Sequence, residues 1–309
     1  MLSPTHFPRK DFPLVWDNTM RIAFVECPRK FFYAYYHGYQ PARLSVHLHA
    51  GAAFAKGVEA VRKAYYGEGV TADTALSRGV AALILAYGDF DPGNSVKTCE
   101  RMVGALGYYF ARYPLASDNF RPLITSNGPA VEFNFALPID VKHPQTGEPI
   151  IYCGRFDMLA TLFGEENNLH VTDEKTTTQL GPTWPKKWEL RSQFIGYTWG
   201  ARQYGYPVKA ALVRGISILK NSYGDAQALV AMPDFKIEAW YTQLCRDITR
   251  AIKCWEEDYF DQNFGESCNN YGSCPYMQLC QVEHPHEWLN PDYTIRVWDP
   301  MGMRGGADE

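Results

Sequence analysis

Between residues 129 and 177 the chain reads PAVEFNFALPI, PIIYCGRFDMLATLF and LHVTDEKTT, three β-branched and aromatic stretches separated by the turn-formers HPQTGEP and GEENN. Strands joined by turns this short pair as an antiparallel meander, because a parallel connection needs a crossover of a dozen or more residues. Helical patterns flank the meander. Upstream, MRIAFVECPRKFFYAYY suits a helix interrupted near Pro28, and LHAGAAFAKGVEAVRKAYY a second helix ending near Gly67. TADTALSRGVAALILAY follows behind a Thr cap. Cys99, Met102, Val103, Leu106, Phe110 and Tyr113 then fall at helical spacing.

Downstream, a helix is expected over 186–204, stopped by Gly205 and Pro207. VKAALVRGISILK is a fourth strand, NSYGD the turn to another, and DFKIEAWYTQLCRDITRAIKCWEEDYF a long helix. This order predicts an α/β fold, a mixed β-sheet flanked by helices. We expect one domain over 1–309. Its parts are a helical N-terminal region (1–118), a core with the final helix (119–264), a Cys-rich loop (265–280) and a tail (281–309).

A content of 46% hydrophobic and 21% charged residues is ordinary for a folded soluble protein. The net charge of −4 gives no global basic character, so a polyanionic partner would need a local basic groove. No 18-residue apolar run is present, and the opening MLSPTHFPRKDFP carries no apolar h-region. No membrane partner and a cytoplasmic location are therefore expected, with the eight cysteines as thiols, core residues or metal ligands.

The third strand, VTDEKTT, carries three charges in its middle. Strand side chains alternate, so Asp173 and Lys175 share one face and Glu174 points to the other. The hairpin brings Asp157, in GRFD, beside Asp173. Two carboxylates and an amine would converge, an arrangement costly to bury unless a cation compensates it. Oxygen ligands of this kind suit Mg²⁺ or Mn²⁺. An Asp–Lys pair on a surface strand is the plain alternative, worth under ~1 kcal/mol.

The set GRFD, DEK and QFIGY, in that order, resembles the PD-(D/E)XK nuclease superfamily, nearest its RecB-type exonuclease branch, over about Ile22 to Cys280. The resemblance implies a restriction-endonuclease-like sheet. It implies metal binding by Asp157 and Asp173, catalysis by Lys175, and an active-site lining of Gln193 and Tyr197, four apart on one helix face. The branch often carries Gly-x-x-x-His on an early helix. Here Gly51 leads to Ala55, and Glu59, one turn later, or a water is the expected substitute ligand. Glu132 matches an acid often seen before the GxxD strand, and His47 and His49 read as loop or cap residues.

Cys268-x5-Cys274-x5-Cys280 lies in a loop rich in Gly, Asn and Pro, with Cys27 far upstream. Thiolates in this number fit an iron–sulfur cluster or a structural zinc. The resemblance favours a [4Fe–4S] cluster on Cys27, Cys268, Cys274 and Cys280, although the branch spaces its last three cysteines as x2 then x5. Cys99, Cys153, Cys245 and Cys254 read as core residues.

The implied function is a metal-dependent DNA exonuclease acting in recombination, repair or processing. Its partners would be single- or double-stranded DNA, ends preferred, and, as in some relatives, further copies of the chain or a recombination partner protein. Arg29, Lys30, Arg62, Lys63, Lys186, Lys187 and Arg191 are candidates for tracking a phosphate backbone. Tyr33, Tyr35, Tyr36, Trp184 and Trp188 either stack on bases or pack in the core. The alternatives are a catalytically inactive DNA-binding or adaptor protein on the same fold and a zinc-stabilised scaffold.

Overall fold

Asp17, Thr71 and Thr98 each start a helix by accepting a hydrogen bond from the amide three residues on, that of Met20, Thr74 and Arg101. The helices they open are α1 (Asn18–Glu26), α3 (Ala72–Tyr87) and α4 (Cys99–Arg112). Between the first two lies α2 (Val46–Arg62). The computed structural model describes residues 7–42, 45–269, 273–289 and 292–301. The chain divides into two compact units, Met1–Arg43 with Ala136–Gly154 and Glu238–Glu309, and Leu44–Phe135 with Arg155–Ile237.

In the second unit, the C-terminal part of β2 (Pro149–Leu162) is followed by β3 (Glu165–Thr177), β4 (Val208–Ile218) and β5 (Tyr223–Ala231). β2 and β3 are antiparallel, β3 and β4 parallel, β4 and β5 antiparallel. The helix α5 (Ser192–Gln203) lies in the β3–β4 crossover. This is the mixed sheet with flanking helices that the element order predicts.

The meander turn is tighter than expected. Phe163 and Gly164, both at positive φ, form a two-residue hairpin, and Glu165–Asn168 of the expected GEENN turn belong to β3. Positive φ at both turn residues matches the twist of the flanking strands, and Gly164 supplies it without a Cβ clash. The helix expected over 186–204 begins only at Ser192, after a 3₁₀ turn at Pro185–Trp188 and an extended Arg191.

Ala50, Phe54, Val61, Leu83, Leu106 and Ile216 are among the residues of one buried cluster built by α2, α3, α4 and β4. Gly79 lets α3 close on α2, since a Cβ there would lie 2.2 Å from Val61 and 2.8 Å from the Gly57 carbonyl. Trp184 covers Gly215 of β4, and the Phe135 ring covers Gly200 of α5.

In the first unit, Trp16 stacks on Phe31 at 4.8 Å, and Arg21 and Asp247 form a buried ion pair at 2.9 Å. Val15–Trp16 pairs in parallel with Ile151–Tyr152 of β2. The expected tail is structured in part, because Tyr293–Ile295 adds a strand antiparallel to Tyr39–Pro41. The chain passes between units along β1 (Val131–Lys142), β2 and the long helix α6 (Asp234–Glu256). No helix is long and apolar enough to cross a membrane among the described residues.

Candidate active site

The β2–β3 ladder runs from the hairpin to Met158↔Thr172 and goes no further. Beyond it stand Asp157 and Asp173. The Glu174 amide donates to Asp157 Oδ2 at 2.8 Å. Lys175, two residues along β3 and therefore on the face of Asp173, donates from Nζ to Asp173 Oδ2 at 2.8 Å. Asp173 is 4% exposed, and the Lys175 ammonium also lies against its Oδ1 as an ion pair. Two carboxylates buried together are costly to ionise unless positive charge meets them.

The electrostatics agree. Burial pushes the Asp157 carboxyl well above the usual range, and the Asp173 charge adds to the shift. Burial also raises Asp173, against the pull of Lys175. Lys175 shifts up: burial disfavours its charge, but the Asp173 and Asp157 carboxylates outweigh burial. Two acids that resist ionising together, beside an ammonium that stays charged, form a site short of positive charge.

Asp157, Asp173, Lys175, Gln193, Tyr197 and Glu59 all line one cavity of about 460 Å³. Gln193 Nε2 donates to the Tyr197 hydroxyl at 2.7 Å, and the Phe156 ring packs 5.5 Å from the Tyr197 ring. The carboxylate of Glu59 is held by Lys56 at 2.8 Å and Lys63 at 2.6 Å, and these lysines outweigh burial to keep it below the ordinary range. Among the described residues, no group of three His, Cys, Asp or Glu is arranged to hold a metal ion. Of the five acids lining the cavity, Glu59, Glu132 and Glu174 are paired with Lys56 and Lys63, Arg155 and Arg62, which leaves Asp157 and Asp173 as the candidate ligands. That fits Mg²⁺ or Mn²⁺, which commonly take one or two carboxylates and complete their shell with water and substrate oxygens.

A family model described as the PD-(D/E)XK nuclease superfamily matches residues 22–281. The chain belongs to this superfamily. Among solved structures, a Eubacterium rectale protein named as a candidate exonuclease is 8% identical, with 82% of this chain and 87% of that one covered and a TM-score of 0.48. A second, SSO0001, is 12% identical over 65% of this chain and 73% of its own, with a TM-score of 0.30. No curated protein matches the chain.

Several residues of this superfamily member join the cavity without having stood out as site residues. Arg155 lies two residues before Asp157 on the same strand face, the signal that marks it. It pairs with Glu132 at 2.9 Å. Glu132 itself sits at φ +55°, a conformation a non-glycine residue rarely adopts. Lys56 and Thr176 also line the wall. His47 and His49 lie in the first turn of α2, where His49 Nε2 meets the Tyr87 carbonyl at 2.8 Å and its ring stacks on Phe90.

Two of the expected backbone-tracking arginines are not available for that role. Arg29 is buried and donates to the Phe260 carbonyl, and Arg62 is buried against Glu174. Lys186, Lys187 and Arg191 are exposed. Tyr33, Tyr36 and Trp184 are buried in packing, whereas Tyr35 and Trp188 are half-buried.

In the first unit, Cys27, Cys268, Cys274 and Cys280 line one cavity of about 40 Å³. All eight cysteines are free thiols. Burial pushes Cys274 up and Cys280 to about 11, so both are protonated at neutral pH without a metal. Cys27 Sγ accepts from the Asn263 amide at 3.5 Å, and Cys268 Sγ faces the Asn263 carbonyl at 3.7 Å. The four cysteines share this cavity, but among the described residues they are not arranged as a set of metal ligands.

Proposed function

We propose that this protein is a metal-dependent DNA exonuclease of the RecB-type branch. The observation that carries the reading is the buried pair Asp157 and Asp173 lining one cavity, with the Lys175 ammonium on Asp173 and the Asp157 carboxyl raised. Asp157 and Asp173 would hold Mg²⁺ or Mn²⁺, with Glu59 reaching it only if its lysines release it. When bound, the cation supplies positive charge to a phosphoryl oxygen and makes a water more acidic.

Lys175 holds and orients the attacking water by donating hydrogen bonds. Gln193 and Tyr197, tied to each other in the same cavity, orient substrate. The exposed Lys186, Lys187 and Arg191 meet the phosphate backbone, which makes binding salt-dependent. Cys27, Cys268, Cys274 and Cys280 bind a [4Fe–4S] cluster that stabilises the first unit, since ligation energy is folding energy.

The test is cleavage of end-labelled single- and double-stranded DNA with Mg²⁺ or Mn²⁺, run beside Asp173→Ala. Metal-dependent release of terminal nucleotides by the wild type alone is expected. DNA binding without cleavage would make the protein an inactive adaptor on the same fold.

A further inference from the structure

We propose that Arg62 and Glu174 are positioning residues for the carboxylates of the cation site. The inference rests on the reading of Asp157 and Asp173 as ligands. Glu174 separates Asp173 from Lys175; its side chain is 1% exposed against an Arg62 side chain that is 4% exposed, and its carboxyl also meets that of Asp157. A buried ion pair is a poor device for stability alone, because apolar residues of similar volume frequently serve as well.

The contacts indicate what the pair does instead. Arg62 reaches Glu174 Oε2 at 3.0 Å and Oε1 at 2.5 Å, and the Tyr109 hydroxyl donates to Oε1 at 2.7 Å. Arg62 and Arg214 in turn donate to Tyr109 at 2.9 and 3.3 Å, and Arg214 is seated on both oxygens of Asp118. Helices α2 and α4 and strand β4 thus fix one side chain of β3. The backbone of that residue carries the amide that orients Asp157 and joins Asp173 to Lys175. Rotation of Glu174 about the strand would disturb all three groups together. Outer partners of this kind commonly change metal affinity ten- to a hundredfold.

The experiment titrates Mn²⁺ into metal-free full-length protein and follows loss of the free-ion EPR signal, a readout independent of cleavage. In Arg62→Met combined with Glu174→Leu, the pair is replaced by apolar residues. The expected result is cooperative unfolding, as in the wild type, with Mn²⁺ affinity weakened about tenfold or more. Wild-type affinity in the folded double variant would overturn the proposal. Should that variant not fold, Tyr109→Phe removes only the hydroxyl on Glu174. A several-fold loss of affinity is then expected, and an unchanged titration overturns the proposal. Wild-type protein that takes up no Mn²⁺ would remove the cation site itself, and the inference with it.

Discussion

Asp157 receives the Glu174 backbone amide on its Oδ2 at 2.8 Å, so a side chain from one strand occupies a main-chain donor of the next. The same carboxyl is shifted up by burial and by Asp173. A folded-state value above the unfolded one means stability that is full at low pH and lost as pH rises through the folded value. Metal-free Asp157→Asn, which cannot ionise, escapes that loss. It should melt above the wild type at pH 7 to 8 in EDTA, with the gap closing below the usual carboxylate range. Its cleavage should fall by about two orders of magnitude or more. Thermal melts across pH, beside a nuclease assay, check both halves.

Lys175→Ala should leave a folded protein that cuts DNA about 10²- to 10⁴-fold more slowly. Without the ammonium, Asp157 and Asp173 repel with less compensation, so the metal-free variant should also melt lower than the wild type at neutral pH. Rate measurements at saturating Mg²⁺ decide the assignment, and an unchanged rate removes Lys175 from the chemistry.

Gly215 is the register partner of Lys175 on β4, and an added Cβ would stand 2.4 Å from the buried Trp184 ring. Gly215→Ala forces that indole and its loop to move. A loss of about 1–3 kcal/mol is expected from overpacking. Urea denaturation measures it, and a midpoint equal to that of the wild type would show that the loop yields freely.

The four-cysteine cavity gives a spectroscopic prediction. Anaerobically purified protein should be brown and contain iron, and Cys274→Ser should lose the colour and become protease-sensitive within the first unit. Colourless wild-type protein with one zinc per chain would assign the cavity to zinc.

The meander, the long helices and the meeting of Asp157, Asp173 and Lys175 are legible in local pattern, since alternation sets which side chains share a face; that Gln193 and Tyr197 join them is implied only by the resemblance to the nuclease superfamily. Arg62 reads like any solvated helix cation, and only the tertiary packing of α2 on β3 shows its burial against Glu174. Tyr109 carries no signal in the sequence, and its hydroxyl role depends on Arg62, Glu174 and Arg214, which lie 47, 65 and 105 residues away. The GEENN segment misleads because its polar composition outweighs the geometric demand that Phe163 and Gly164 satisfy.

Where the ladder between β2 and β3 stops, a carboxylate stands in for the missing rung. Truncating Asp157 to alanine would therefore remove two things at once, an anion and a strut. A lineage that abandoned the chemistry while keeping the architecture would be pressed toward asparagine at this position, and the amide-for-acid exchange is the one that separates reactivity from scaffolding.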